Sequence, residues 1–155
     1  MNGMLKSALI LSSLLFPVAS CYAFNCALAT TPVNFGNFDV FSAYVLDSTG
    51  TLTVSCNNPE QKPIPVKISI NSGISGKFNP RQMQGSNGID RLNYYLFTDP
   101  SGAVIWGDGT GGSSTVSSTV TRNSTLSSTI YGRIPAGQNV GVGTYTDVLT
   151  ATVTW

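Results

Sequence analysis

The stretch Thr144-Tyr145-Thr146-Asp147-Val148-Leu149-Thr150-Ala151-Thr152-Val153-Thr154-Trp155 decides the fold. Tyr145, Leu149, Ala151, Val153 and Trp155 share one face, and Thr144, Thr146, Thr150, Thr152 and Thr154 the other, which is the two-residue period of a half-buried strand. Nothing in the sequence follows this strand to close a sheet. Its free edge is therefore expected either to be covered by another part of the chain or to serve as a docking place for a strand from elsewhere.

The same period recurs upstream. Leu52, Val54 and Cys56 line one face of a strand, Val66, Ile68 and Ile70 another, and Leu92, Tyr94 and Leu96 alternate with Asn93, Tyr95 and Phe97 in a third. Further strands are expected at 103–106 and 127–134. Residues 107–118, rich in Gly, Ser and Thr, read as a flexible loop, and 135–143 as a long turn. No segment keeps helical spacing for three turns, so the domain is all-β. The number and spacing of the strands favour an immunoglobulin-like β-sandwich over a barrel. Tyr145, just after a Gly-rich corner, has the position of a tyrosine corner or is simply a core residue.

The first residues address compartment. Lys6 precedes an apolar run from Ala8 to Ala19, and the small residues Cys21 and Ala23 stand where a signal peptidase reads, so residues 1–23 are expected to be a secretory signal cut between Ala23 and Phe24. Val18-Ala19-Ser20-Cys21 also fits a bacterial lipoprotein signal, the alternative in which Cys21 is lipidated. No later stretch approaches the roughly 20 apolar residues of a membrane span. Cleavage after Ala23 would leave a single domain, residues 24–155.

Composition narrows the partners. Eight basic and seven acidic residues nearly cancel, and none form a run, so no field favours nucleic acid or an anionic membrane. Charged residues are only 10% of the chain against about 25% in an ordinary domain, the polar remainder being mostly Ser, Thr, Asn and Gly. Such a surface suits packing in assemblies.

With the signal removed, Cys26 and Cys56 are the remaining thiols, and an even pair in an oxidising compartment is expected to form a disulfide. Two cysteines without any histidine do not make a zinc set. The missing histidine also removes the usual acid-base group, the acidic residues are scattered among turns, and the serines have no base, so no enzyme and no cofactor are expected. Gly107 to Gly112 lacks the Lys and following helix of a phosphate cradle.

Several motifs together carry a family likeness. Cys26, then Val33-Asn34-Phe35-Gly36-Asn37-Phe38-Asp39, then Gly50-Thr51-Leu52-Thr53-Val54-Ser55-Cys56 open the series. Leu92-Asn93-Tyr94-Tyr95-Leu96-Phe97-Thr98-Asp99, Trp106-Gly107-Asp108-Gly109, Tyr131-Gly132-Arg133-Ile134-Pro135-Ala136-Gly137-Gln138 and Gly143-Thr144-Tyr145-Thr146-Asp147 continue it. In this order they resemble the spore coat protein U domain family, which includes subunits of archaic, Csu-type chaperone-usher pili. The resemblance implies an incomplete immunoglobulin fold lacking its last strand. That strand would come first from a periplasmic chaperone, then, at the outer-membrane usher, from the N-terminal extension of another pilus subunit.

On this reading Tyr145, Leu149, Ala151, Val153 and Trp155 line the acceptor groove. Ordinary pilins of the family carry a donor extension before the first cysteine, whereas cleavage after Ala23 leaves only Phe24 and Asn25 here. The chain would then accept a strand without donating one, which fits a fibre tip. Were it to bind surfaces itself, Ile74 and Phe78 or Val104 to Trp106 would be the exposed apolar candidates. The alternatives are a self-contained coat or matrix protein of a cell or spore surface, and a carbohydrate-binding module using Tyr94, Tyr95 or Trp106.

Overall fold

The computed structural model describes residues 23–155, so residues 1–22 of the expected signal, Cys21 among them, lie outside the described residues. The chain forms β1 (Asn25–Thr31), β2 (Leu46–Asn57), β3 (Ile64–Ile70), a 3₁₀ turn (Gly73–Ser75), β4 (Arg81–Gly85) and β5 (Arg91–Phe97). It continues with β6 (Val116–Val120), β7 (Ser124–Ile134), β8 (Tyr145–Thr146) and β9 (Ala151–Thr154). A six-stranded sheet in the order β1-β2-β7-β5-β4-β8 faces a three-stranded sheet in the order β6-β3-β9. Every pairing between these strands is antiparallel.

The core follows from the alternation. Leu52, Val54 and Cys56 of β2, Leu92, Tyr94 and Leu96 of β5, and Ile130 and Ile134 of β7 point from the large sheet onto Val66, Ile68 and Ile70 of β3. Trp106 fills the space between, fully buried, and its indole N–H donates to the Ile68 carbonyl at 3.3 Å. Burial of this size is the main favourable term in folding.

After β1 the chain bends onto the inner face of the large sheet, where Val33, Phe35 and Phe38 pack on the core. Two glycines make the passage possible. A Cβ on Gly50 would stand 2.7 Å from the Thr31 carbonyl oxygen, and one on Gly132 2.6 Å from Val33 Cγ1 and 2.7 Å from Phe35 Cζ. Both glycines lie in rows where the neighbours are large, so their smallness lets a neighbouring segment in.

The expected single last strand is in fact two. β8 pairs with β4 in the large sheet, through Gln84↔Thr146 and Gly85↔Tyr145, while β9 pairs with β3 in the small one, from Lys67↔Thr154 to Ile70↔Ala151. The inward row does run unbroken from Tyr145 through Leu149 to Val153, as the alternation predicts. It also contains Asp147, a carboxylate that cannot enter an apolar core unpaired. The chain leaves one sheet for the other at this residue, a corner of the kind by which strands change sheets.

Other expectations need correction. Residues 103–106 form isolated bridges, Phe97↔Ile105 and Trp106↔Ser114, because Trp106 turns inward as a plug. The supposed loop 107–118 contains the start of β6, whose Ser and Thr residues pair with β3 while Val116 and Val120 pack on the core.

Candidate functional site

Of the four edge strands among the described residues, β1 and β9 lie on neighbouring margins of the sandwich. Among the described residues β1 pairs only with β2, and β9 only with β3, so each presents one row of unpaired backbone N–H and C=O groups. The register Cys26↔Cys56 and Leu28↔Val54 places Cys26 and Leu28 on the core side of β1. The register Ile68↔Val153 and Ile70↔Ala151 does the same for Val153 and Ala151 of β9.

These inward-facing residues are poorly covered. Leu28 is 38% exposed although its partner Val54 is fully buried, and Leu149, Ala151 and Val153 are only half-buried. A completed sandwich would bury both rows. The margins meet at one pole, where the Phe24 and Trp155 rings pack edge-to-face with centroids 5.4 Å apart, Trp155 remaining 59% exposed. From there β1 departs and β9 arrives, so the two edges run antiparallel.

Two features hold these edges in place. Cys26 and Cys56 form a disulfide that ties β1 to β2, as the cysteine count led one to expect. The corner between β8 and β9 is fixed by polar contacts. Asp147 accepts the Tyr94 hydroxyl at 2.6 Å and the Ile74 N–H at 3.1 Å, and Asn71 donates its N–H to the Thr150 carbonyl and accepts the Thr150 N–H on Oδ1. Burial pushes the Tyr94 hydroxyl well above the ordinary phenol range, and the Asp147 hydrogen bond adds to it. The group is a permanent donor.

Behind the corner lies fully buried Arg81. Its guanidinium donates to the Asn71 carbonyl from Nε at 3.2 Å and Nη2 at 2.9 Å, and to the Trp106 carbonyl at 2.8 Å, with the Phe78 ring 5.0 Å from its carbon. Burial lowers its pKa. No alternation rule announces an inward arginine in β4.

Tyr145 donates to the Gly141 carbonyl four residues upstream at 2.7 Å, the bond that defines a tyrosine corner. Of the residues considered for surface binding, Phe78 and Trp106 are buried, whereas Ile74 and Val104 are 49% and 40% exposed. Tyr94 and Trp106 are likewise too buried to present a ring to a sugar. The most exposed apolar side chains lie elsewhere: besides Val148, in the corner between β8 and β9, Phe41, Tyr44, Ile89 and Val142 are 82% exposed or more. The registers Leu46↔Ile134 and Tyr95↔Arg133 put their loops at the pole opposite Phe24 and Trp155. Motif spacing could not reveal them, since exposure depends on which loops share an end.

Among the described residues no group of three or more His, Cys, Asp and Glu could hold a metal ion, and no helix is long and apolar enough to cross a membrane. A shallow depression lies on the outer face of the large sheet. It is crossed by the Arg133–Asp47 ion pair, whose Nε to Oδ1 distance is 2.7 Å.

Comparison with known proteins agrees with this architecture. The family model described as Spore Coat Protein U domain matches residues 13–152. Protein U of Myxococcus xanthus is 31% identical over 130 residues, which span 79% of this chain and 71% of that protein. Among solved structures, a chain of the CsuC-CsuE chaperone-tip adhesion subunit pre-assembly complex, from the archaic chaperone-usher Csu pili of Acinetobacter baumannii, superposes with a TM-score of 0.59 at 22% identity. The superposition covers 86% of this chain and 40% of that one, and the fold they share is the immunoglobulin-like β-sandwich. The chain belongs to the spore coat protein U domain family.

Proposed function

We propose that this chain is an exported subunit of a surface pilus of the archaic chaperone-usher type. On this reading it takes up a β-strand between β1 and β9, first from a periplasmic chaperone and, at the outer-membrane usher, from another subunit. The observation that carries the reading is the pair of antiparallel open edges whose inward residues, Leu28, Val153 and Trp155 among them, are only partly covered. One inserted strand would bury those side chains and satisfy both rows of backbone groups, each of which is costly when left dry. Family membership and the fold shared with a chaperone-bound pilus subunit support it. Removal of residues 1–23 would place the chain at a fibre end as an acceptor, and the exposed apolar loops carrying Phe41, Tyr44, Ile89 and Val142 favour an adhesive role there.

The test is export with and without a co-expressed periplasmic chaperone of this class. Poor soluble yield alone, rescued as an equimolar complex with the chaperone, is the expected result. A cooperative, reversible melt of the lone monomer would remove the basis of the reading. It would favour the second one, a self-contained coat or matrix protein, which the family description, Spore Coat Protein U domain, supports.

A further inference from the structure

We infer that Phe24 and Trp155 form an end stop that sets the register of the incoming strand and the size of side chain it carries at each inward position. The inference rests on the strand-accepting reading above. Phe24 lies two residues before Cys26, and Trp155 two after Val153, so each is the pole-end member of its inward row. Their rings touch across the margin, closing it at this end with two aromatic groups. Farther along, the rows hold Leu28 on one side and Val153 and Ala151 on the other, much smaller groups that leave Leu28 uncovered.

The margin is thus closed by two rings at the disulfide pole and lined beyond it by smaller, partly exposed side chains. A strand entering between the edges finds room for a bulky side chain beside Ala151 and Leu28, and none at the pole until the ring pair parts. Neither residues 24–31 nor 148–155 carry a charged side chain, so a charge on the inserted row would be buried without a partner. The occupant is an extended segment of a second subunit. Its inward residues are uncharged and apolar, largest in the middle and smallest where they reach Phe24 and Trp155.

The experiment uses the exported chain with its disulfide formed and labelled peptides of about ten residues, slightly longer than an ordinary strand. Thr alternates with Val in the parent peptide, and Phe replaces each Val in turn. Binding is followed by fluorescence polarisation. Wild type should bind the peptide with the pole-end Phe at least about tenfold more weakly than the one with Phe beside Ala151, the scale on which overpacking acts. Trp155→Ala should abolish most of that difference while leaving the other peptides little changed, and Phe24→Leu, which keeps an apolar lip, provides a milder second variant. Equal binding of all Phe peptides to wild type, or a uniform shift in Trp155→Ala, would overturn the end stop while leaving the strand-accepting reading intact. Absence of binding by any peptide would overturn both.

Discussion

The Tyr94 hydroxyl donates to the Asp147 carboxylate at 2.6 Å, joining the centre of β5 to the corner where the last strand changes sheets. Without that donor the inward carboxylate would keep only the Ile74 N–H, and the chain would gain by turning the corner outward. Tyr94→Phe is therefore expected to destabilise the domain by about 1.5–3 kcal/mol, the range for hydrogen bonds to charged groups. Denaturant unfolding of the disulfide-bonded chain, stabilised in both variants by the same bound strand or chaperone, measures it. A midpoint equal to wild type would mean the corner is held by the Ile74 N–H on Asp147 and by the Asn71–Thr150 bonds without the Tyr94 hydroxyl.

Buried Arg81 closes the other side of this corner with three hydrogen bonds to two carbonyl oxygens. Arg81→Met would restore the volume but leave the Asn71 and Trp106 carbonyls without these donors, and Arg81→Lys would keep the charge but lose the planar fork. Both are expected to cost about 2–5 kcal/mol, as other losses of buried polar networks do. The loss should appear as reduced periplasmic yield and faster hydrogen exchange at Asn71 and Thr150. A thermally silent Arg81→Lys would show that the fork geometry is not required.

How far these features could be read beforehand differs by element. β2, β3 and β5 were legible because each carries a clean apolar row, β7 because Ile130 and Ile134 recur at its end, and the disulfide because the expected loss of residues 1–23 would leave two cysteines. β4 was not, since its inward row is Arg81, Met83 and Gly85, one charge and one glycine among three residues. β6 hides in a run of Ser and Thr whose only apolar members are its ends, Val116 and Val120. The face of the last strand was read correctly, but its break was not. Period alone does not say that its successive partners, β4 and β3, belong to different sheets. For the candidate site, the inward row of β9 was visible in the sequence. The other edge, β1, was not, because in Asn25–Thr31 the alternation is between small groups that do not advertise burial.

The disulfide closes β1 onto β2 across a sequence separation of 30. In the chain-entropy account a loop of that size is worth about 3–4 kcal/mol. Cys56→Ser should therefore lower periplasmic accumulation sharply, and it should also free β1, one of the two proposed lips. Comparing chaperone capture of Cys56→Ser with that of wild type separates these effects. Yield lost in the presence of excess chaperone points to the lip, and full rescue points to stability alone.

Acid should loosen one loop in a predictable direction. Asp99 accepts the Ser101 hydroxyl and the backbone N–H groups of Val104 and Ala103, and these bonds, the Ser101 hydroxyl foremost, bring its pKa down to about 2. Its unfolded value is about 3.9. A depressed carboxylate contributes stability above the unfolded pKa and loses it as pH falls through the folded one, so the contribution is complete above about pH 4 and gone below about pH 2. Amide exchange at Val104 in wild type should approach that of Asp99→Ala as pH falls through this window. Parallel profiles at all pH values would show that the carboxylate does not organise the loop.

Gly132 makes the sharpest packing test. It sits between Ile130 and Ile134 on the inner row of β7, and a Cβ there would meet Val33 Cγ1 at 2.6 Å and Phe35 Cζ at 2.7 Å. Gly132→Ala is expected to cost about 1–3 kcal/mol by forcing the segment after β1 off the sheet. Val33→Ala alone should also destabilise, by loss of a half-buried side chain. If the clash is with Val33, the double variant will be less unstable than the sum of the two, with a coupling of about 0.5–3 kcal/mol, because Val33→Ala vacates the space the new methyl needs. Strict additivity in the double-mutant cycle would mean that Phe35, or the β7 backbone itself, bears the strain, and the cycle with Phe35→Leu would then carry the coupling.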